Sequence, residues 1–199
     1  DHKLVELGLT PNDEAYKAQY YSYLMNGLLT QTIRIKEGDK IEEAHMRNRA
    51  LIAWWTLEHA GGAVELVQEE VSYASAEDAL KDAEGNIITT RTYVKVNDYE
   101  KLRHLFGDLL AEIQRIKSEG DYEAARQLVE KYAVNIAPAL HREILARYKK
   151  LNLAPYKGFI NPKMTLVFDE EGNPIDVNLD YEESYTDQML RYSDEYGTL

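Results

Sequence analysis

The stretch Asp98-Tyr99-Glu100-Lys101-Leu102-Arg103-His104-Leu105-Phe106-Gly107-Asp108-Leu109-Leu110-Ala111-Glu112-Ile113-Gln114-Arg115-Ile116 decides the class of fold. Leu102, Leu105, Phe106, Leu109, Leu110, Ile113 and Ile116 recur every three or four residues, the spacing of one apolar helical stripe. Asp98 offers an oxygen to the unpaired N–H groups of the first turn, and Gly120 supplies the stop. Outward from this helix the pattern repeats. Asp121 caps a helix carrying Ala125, Leu128, Val129 and Tyr132. Pro138 suits the first turn of another, which reaches about Leu151.

Toward the N-terminus, Asn12 or Asp13 caps a helix with Tyr16, Tyr20, Tyr23, Leu24 and Leu28 at helical spacing, running to about Ile33. Gly38-Asp39 breaks the chain, and a further helix spans about Ile41 to His59 before Gly61-Gly62. The opening Lys3 to Leu9 reads as a helix end stopped by Gly8 and Pro11. It has no start signal of its own, so the expectation is a helix begun upstream and a chain that is a fragment of a longer one.

Two segments switch to strand character. Val64 to Val71 and the β-branched Ile87 to Val96 predict a hairpin, with a long, partly helical insertion at Ser75 to Lys81 and a turn at Glu84-Gly85-Asn86. Met164 to Phe168 and Ile175 to Leu179 flank Glu170-Glu171-Gly172-Asn173-Pro174, a second hairpin. A last amphipathic helix holds Tyr185, Met189, Leu190 and Tyr192. The expected fold is mainly α (α+β): a single, mostly helical domain over 1–199 with two β-hairpins.

Composition narrows the function. The 199 residues carry 35 Asp and Glu against 23 Lys and Arg, a net charge of −12 that repels phosphate backbones and argues against nucleic acid as a partner. With no cysteine, disulfides, thiolate metal sites and cysteine nucleophiles are excluded, in keeping with a reducing, cytoplasmic location. No apolar run approaches the roughly 18 residues of a membrane span, so no membrane partner is expected.

The five histidines are His2, His45, His59, His104 and His141. No two stand three to five residues apart, and none is followed by Glu as the helical zinc-peptidase motif requires. The paired acids of Glu182-Glu183-Ser184-Tyr185-Thr186-Asp187 sit at helix-neighbour spacing, which chance explains in so acidic a chain. There is no Gly-x-Ser-x-Gly elbow and no Gly-rich phosphate loop. The polar cluster of interest is Glu42-Glu43-Ala44-His45-Met46-Arg47-Asn48-Arg49. His45 and Arg49 are four apart and share a helix face with the small Ala53. They can present a hydrogen-bond donor and a fixed cation to one ligand. The spacing alone reads more simply as a solvated first turn in which Glu42 or Glu43 pairs with Arg47 or Arg49. Of Trp54 and Trp55, one is expected in the core and the other at an interface.

His45-Met46-Arg47-Asn48-Arg49, a His-Met-x-x-Arg pattern on a helix, resembles a signature segment of the dipeptidyl peptidase III family of zinc metallopeptidases. Other stretches agree in order. Asp1 to Leu9 looks like the segment after that family's second zinc motif, and Asn26-Gly27-Leu28-Leu29 like the helix before the His segment. Gly120-Asp121, Tyr132-Ala133 and Phe159-Ile160-Asn161-Pro162 fall where the family has similar residues.

The resemblance implies a C-terminal part of the upper lobe of a two-lobed enzyme that removes dipeptides from the N-terminus of oligopeptides. Its zinc would be held by a His-Glu-x-x-Gly-His helix and a paired-Glu helix in the missing N-terminal part, so the full-length protein carries zinc and this chain supplies no ligand. His45 matches the residue that stabilises the oxyanion or holds the substrate carbonyl. Arg49 matches the segment's substrate-positioning Arg, and Lys157 falls near basic residues lining the cleft, in a loop that departs from the family pattern. The alternative is a non-catalytic helical interaction domain, fused to another enzyme such as a nudix hydrolase.

Overall fold

A computed structural model describes residues 2–151 and 161–197. They fall into two compact units, Asp1–Leu153 and Ala154–Leu199. The fold is mainly α with two antiparallel two-stranded sheets.

The first unit runs α1 (His2–Glu6), α2 (Glu14–Leu28), a 3-10 helix (Thr30–Arg34), α3 (Ala44–His59), β1 (Val64–Glu70), β2 (Thr90–Val96), α4 (Tyr99–Glu119), α5 (Tyr122–Tyr132) and α6 (Pro138–Leu151). The caps read from sequence do their work. Asp13 accepts from the Tyr16 N–H, Asp98 from that of Lys101 and Asp121 from that of Ala124. Gly120 closes α4 with φ 67°, a left-handed value that glycine adopts without strain.

The second helix ends sooner than its periodicity predicts. Leu29 leaves helical geometry at φ −124°, and Thr30–Arg34 continues as a tighter 3-10 turn. The Thr32 hydroxyl donates to the Leu29 carbonyl at 2.7 Å, and the Gln31 amide donates to the carbonyls of Gly27 and Met46. Side chains thus take up carbonyls that a continuing helix would have used. The Ser75–Lys81 insertion also differs: it is a run of turns with no helix. The Ser75 hydroxyl donates to the Asp78 carboxylate at 2.7 Å, and Asp82 gathers the N–H groups of Glu84 and Asn86. These local bonds compete with helix propagation.

The core joins α2, α3, α4, α6 and β1 through Leu24, Leu28, Ala53, Val64, Leu102 and Ile144. Each large aliphatic side chain buried here contributes roughly 1.5–3 kcal/mol. Both tryptophans are half-buried. Trp54 packs against all three apolar clusters, and Trp55 stacks on His59 at 4.0 Å. Two buried polar groups pin α6. His141 Nε2 lies 3.1 Å from the carbonyls of both Thr32 and Ile35. Glu143 accepts from the Thr92 N–H at 2.7 Å and the Thr92 hydroxyl at 2.6 Å, and Arg147 bridges the Glu143 carboxylate and the Thr92 carbonyl.

The second unit contains β3 (Lys163–Phe168), β4 (Pro174–Asp180) and α7 (Tyr185–Tyr196). Gln188 is fully buried and accepts from the Asn161 N–H. In the hairpin, Met164 faces Leu179 and Leu166 faces Val177.

The tightest crossing is between α2 and α3. A methyl group on Gly27 would stand 2.4 Å from the Arg49 carbonyl oxygen and 2.6 Å from the Ala53 methyl, neither of which can move without shifting a helix. Gly27→Val is expected to destabilise the first unit by about 3 kcal/mol, measured as a lower denaturant midpoint. Gly107→Ala, where no atom lies within 4 Å of the added methyl, should leave the midpoint unchanged or raise it.

Candidate functional site

The α2–α3 crossing fixes the surroundings of the two residues singled out by sequence. Glu43 is the N-cap of α3: its carboxylate accepts from the N–H groups of His45 at 3.0 Å and Met46 at 2.8 Å. Those bonds favour the charged form and hold the Glu43 carboxyl below its ordinary 4.5. His45 and Arg49 contribute smaller electrostatic shares in the same direction.

Glu43 is therefore spent on the backbone. The ion pairing expected of a solvated first turn does not form: Arg47 donates to the Ile41 carbonyl at 2.7 Å, and Arg49 has no hydrogen bond or ion pair among the described residues. His45 is exposed, Arg49 is half-buried, and the His45 ring makes no hydrogen bond among the described residues.

Along α3, residues 45, 49 and 52 follow the i, i+4, i+7 spacing of a single face. Ile52 lines a cleft of about 430 Å³ together with Gln19, Tyr20 and Tyr23 of α2 and Phe106 of α4. The cleft walls are aromatic. Tyr20 contacts Phe106 with ring centres 5.4 Å apart, and Tyr23 meets the same ring edge-on at 6.0 Å.

Burial raises the Tyr23 hydroxyl pKa, and the nearby Arg49 charge pulls it back part of the way. Behind this wall the Tyr16 and Tyr20 hydroxyls are 3.0 Å apart. Burial, with Tyr16 as hydrogen-bond partner, pushes Tyr20 well above the ordinary phenol value. Burial also raises Tyr99 to about 12. Tyr20, Tyr23 and Tyr99 are therefore neutral, not bases, at neutral pH.

The arrangement pairs an apolar aromatic cleft with an unpaired guanidinium beside it and an imidazole one turn further out. Such a site suits a ligand with an apolar side chain and a carbonyl or carboxylate. Lys157, the third sequence candidate, lies outside the described residues. Two other histidines serve locally. His59 Nδ1 is 2.8 Å from the Trp55 carbonyl, and His141 anchors α6. Glu183 of the paired-acid stretch is bound by Arg191 at 2.7 Å, and Ser184 caps α7. Among the described residues no group of three or more His, Asp or Glu side chains is placed to hold a metal ion. No helix among them is long and apolar enough to cross a membrane.

The aromatic cleft itself was not singled out in the sequence. Its signal is Tyr20-x-x-Tyr23 on α2, which periodicity assigns to packing. No known family model matches the chain, and no curated protein matches it significantly.

The Glu43 cap sets a pH dependence. Its folded-state pKa is depressed, so its contribution is present above the unfolded carboxyl value and is lost as pH falls through the lower folded value. Glu43→Gln is expected to lower the melting temperature at pH 7, and the gap to the parent protein should be smaller at pH 3 than at pH 7. Thermal melts at both pH values measure it.

Proposed function

We propose that this chain is the C-terminal portion of a cytoplasmic, zinc-dependent dipeptidyl peptidase, part of the upper lobe of a two-lobed enzyme that releases dipeptides from the N-terminus of oligopeptides. In this reading the zinc ligands belong to sequence beyond these 199 residues. The chain contributes groups that bind and orient the peptide. The single observation that carries the reading is that His45 and Arg49, matching the His-Met-x-x-Arg segment, share an accessible helix face beside an aromatic cleft while neither is consumed by a neighbour.

The chemistry follows from residue type. The His45 ring donates an N–H to the scissile carbonyl oxygen as negative charge builds on it, an interaction stronger in the transition state than in the ground state. Arg49 holds a substrate carbonyl or carboxylate through its fixed fork of donors. The apolar walls of Tyr20, Tyr23 and Ile52 accept a substrate side chain. Lys157 completes the substrate-binding set in this proposal.

The second reading is a non-catalytic helical interaction domain fused to another enzyme such as a nudix hydrolase, and one surface feature fits either reading. The β3–β4 hairpin leaves Met164, Leu166, Phe168, Val177 and Leu179 exposed. Such an apolar surface suits a separate partner or the missing part of the peptidase. The two readings part on kinetics. In the full-length protein, His45→Ala is expected to lower kcat/KM for dipeptide release by about 100-fold or more, equivalent to about 2.7 kcal/mol of lost transition-state stabilisation. Zinc content should stay at that of the parent protein. Unchanged turnover in His45→Ala, or a full-length protein that neither binds zinc nor cleaves peptides, overturns the peptidase reading.

A further inference from the structure

The chain as a whole is strongly acidic, with net charge −12, yet one cleft in the first unit reverses the sign. A cleft of about 480 Å³ opens between the segment after the 3-10 helix, the β1–β2 loop and α6. Arg34, Lys36, Lys81, Arg142 and Lys149 line it, against two carboxylates, Glu37 and Asp82. Arg34 has a partner of its own and Glu37 pairs with Arg142, which leaves Lys36, Lys81 and Lys149 against Asp82.

Neither carboxylate neutralises the lysines. Asp82 is turned into its own loop, accepting from the Glu84 N–H at 3.0 Å, the Asn86 N–H at 2.8 Å and the Asn86 amide at 3.0 Å. Glu37 lies 3.5 Å from Arg142. The side chains of Lys36, Lys81 and Lys149 have no hydrogen bond or ion pair among the described residues. Like charges gathered this way repel one another, and a bound anion relieves that repulsion.

The cleft is also built rather than incidental. His141, one residue before Arg142, ties α6 to the carbonyls of Thr32 and Ile35, so the walls bearing Arg34, Lys36 and Arg142 are held together by a buried contact. Ile33, Ile35 and Leu145 give the same cleft an apolar side.

We propose that this cleft binds a small organic phosphate with two or more negative charges, such as a nucleoside diphosphate. The phosphoryl oxygens sit among Lys36, Lys81, Arg142 and Lys149, and the organic part lies on Ile33, Ile35 and Leu145. Lysine ammoniums meet phosphate as point charges, and arginine meets it as a bidentate fork. The site is separate from the α2–α3–α4 cleft and does not depend on the peptidase reading.

Isothermal titration of the protein with ADP at about 50 mM salt tests this, with citrate as a non-phosphate anion of similar charge. The expected result is saturable one-to-one binding of ADP, at least tenfold tighter than citrate. The double variant Lys81→Glu, Lys149→Glu should weaken it at least tenfold. A control of equal charge change outside the cleft, Lys95→Glu with Lys117→Glu, should change it less than twofold. Circular dichroism confirms that both variants fold. The proposal is overturned by absence of saturable ADP binding, by citrate binding as tightly as ADP, or by equal weakening in the control pair.

Discussion

The close passage of α2 over α3 at Gly27 is the constraint on which the first unit rests. Because Gly27 has no side chain, the backbone of α2 reaches the Arg49 carbonyl and the Ala53 methyl directly. That approach seats Leu24 and Leu28 in the core over a fully buried Ala53. It also brings Gln31 within reach of the Met46 carbonyl, a side-chain tie between the two helices. The same approach puts Tyr23 within the field of Arg49 and leaves Ile52 facing Tyr20 and Phe106. Packing at the small-residue crossing and the geometry of the aromatic cleft are therefore one fact seen from two sides. A bulkier crossing would open the core and pull the cleft apart together.

Polar contacts set the remaining wall. His141 and Glu143 sit on the inner side of α6 and are almost fully buried. Each is satisfied by backbone groups of another element, His141 by the segment after α2 and Glu143 by β2. Buried polar groups are costly unless paired, and here the pairing fixes α6 in rotation and register as an apolar face alone would not. The basic cleft inherits its order from this anchoring, since Arg142 and Lys149 project from the helix that His141 and Glu143 hold.

Much of the fold was legible in the sequence because it is written in local signals. The α4 stripe, the caps at Asp13, Asp98 and Asp121 and the glycine stop at Gly120 each act within a few residues, and both hairpins follow from β-branched runs flanking turns. What was not legible depends on partners far away in the chain. The break at Leu29 rests on Gln31 and Thr32 capturing carbonyls, one of them on α3. His141 and Glu143 look like solvated residues of an amphipathic helix until Thr32 and Thr92 are brought beside them. Glu43 reads from sequence as an ion-pair partner of Arg47 or Arg49, and the backbone N–H groups of His45 and Met46 win because they are already in place. The His45–Arg49 pair was visible as an i, i+4 spacing, whereas its aromatic neighbours on α2 and α4 and the basic cleft, drawn from three separated segments, were not.

The proposed function turns on whether the α3 face bearing His45 and Arg49 meets a peptide at the aromatic cleft. The most direct measurement is NMR of the protein with side chains of His, Arg and Tyr isotopically labelled, titrated with a non-hydrolysable tetrapeptide. The account predicts saturable shifts of the His45 imidazole, the Arg49 guanidinium and the Tyr23 ring with one common affinity, and none at His59 or His104. Saturable peptide binding that leaves His45, Arg49 and Tyr23 unmoved would contradict it.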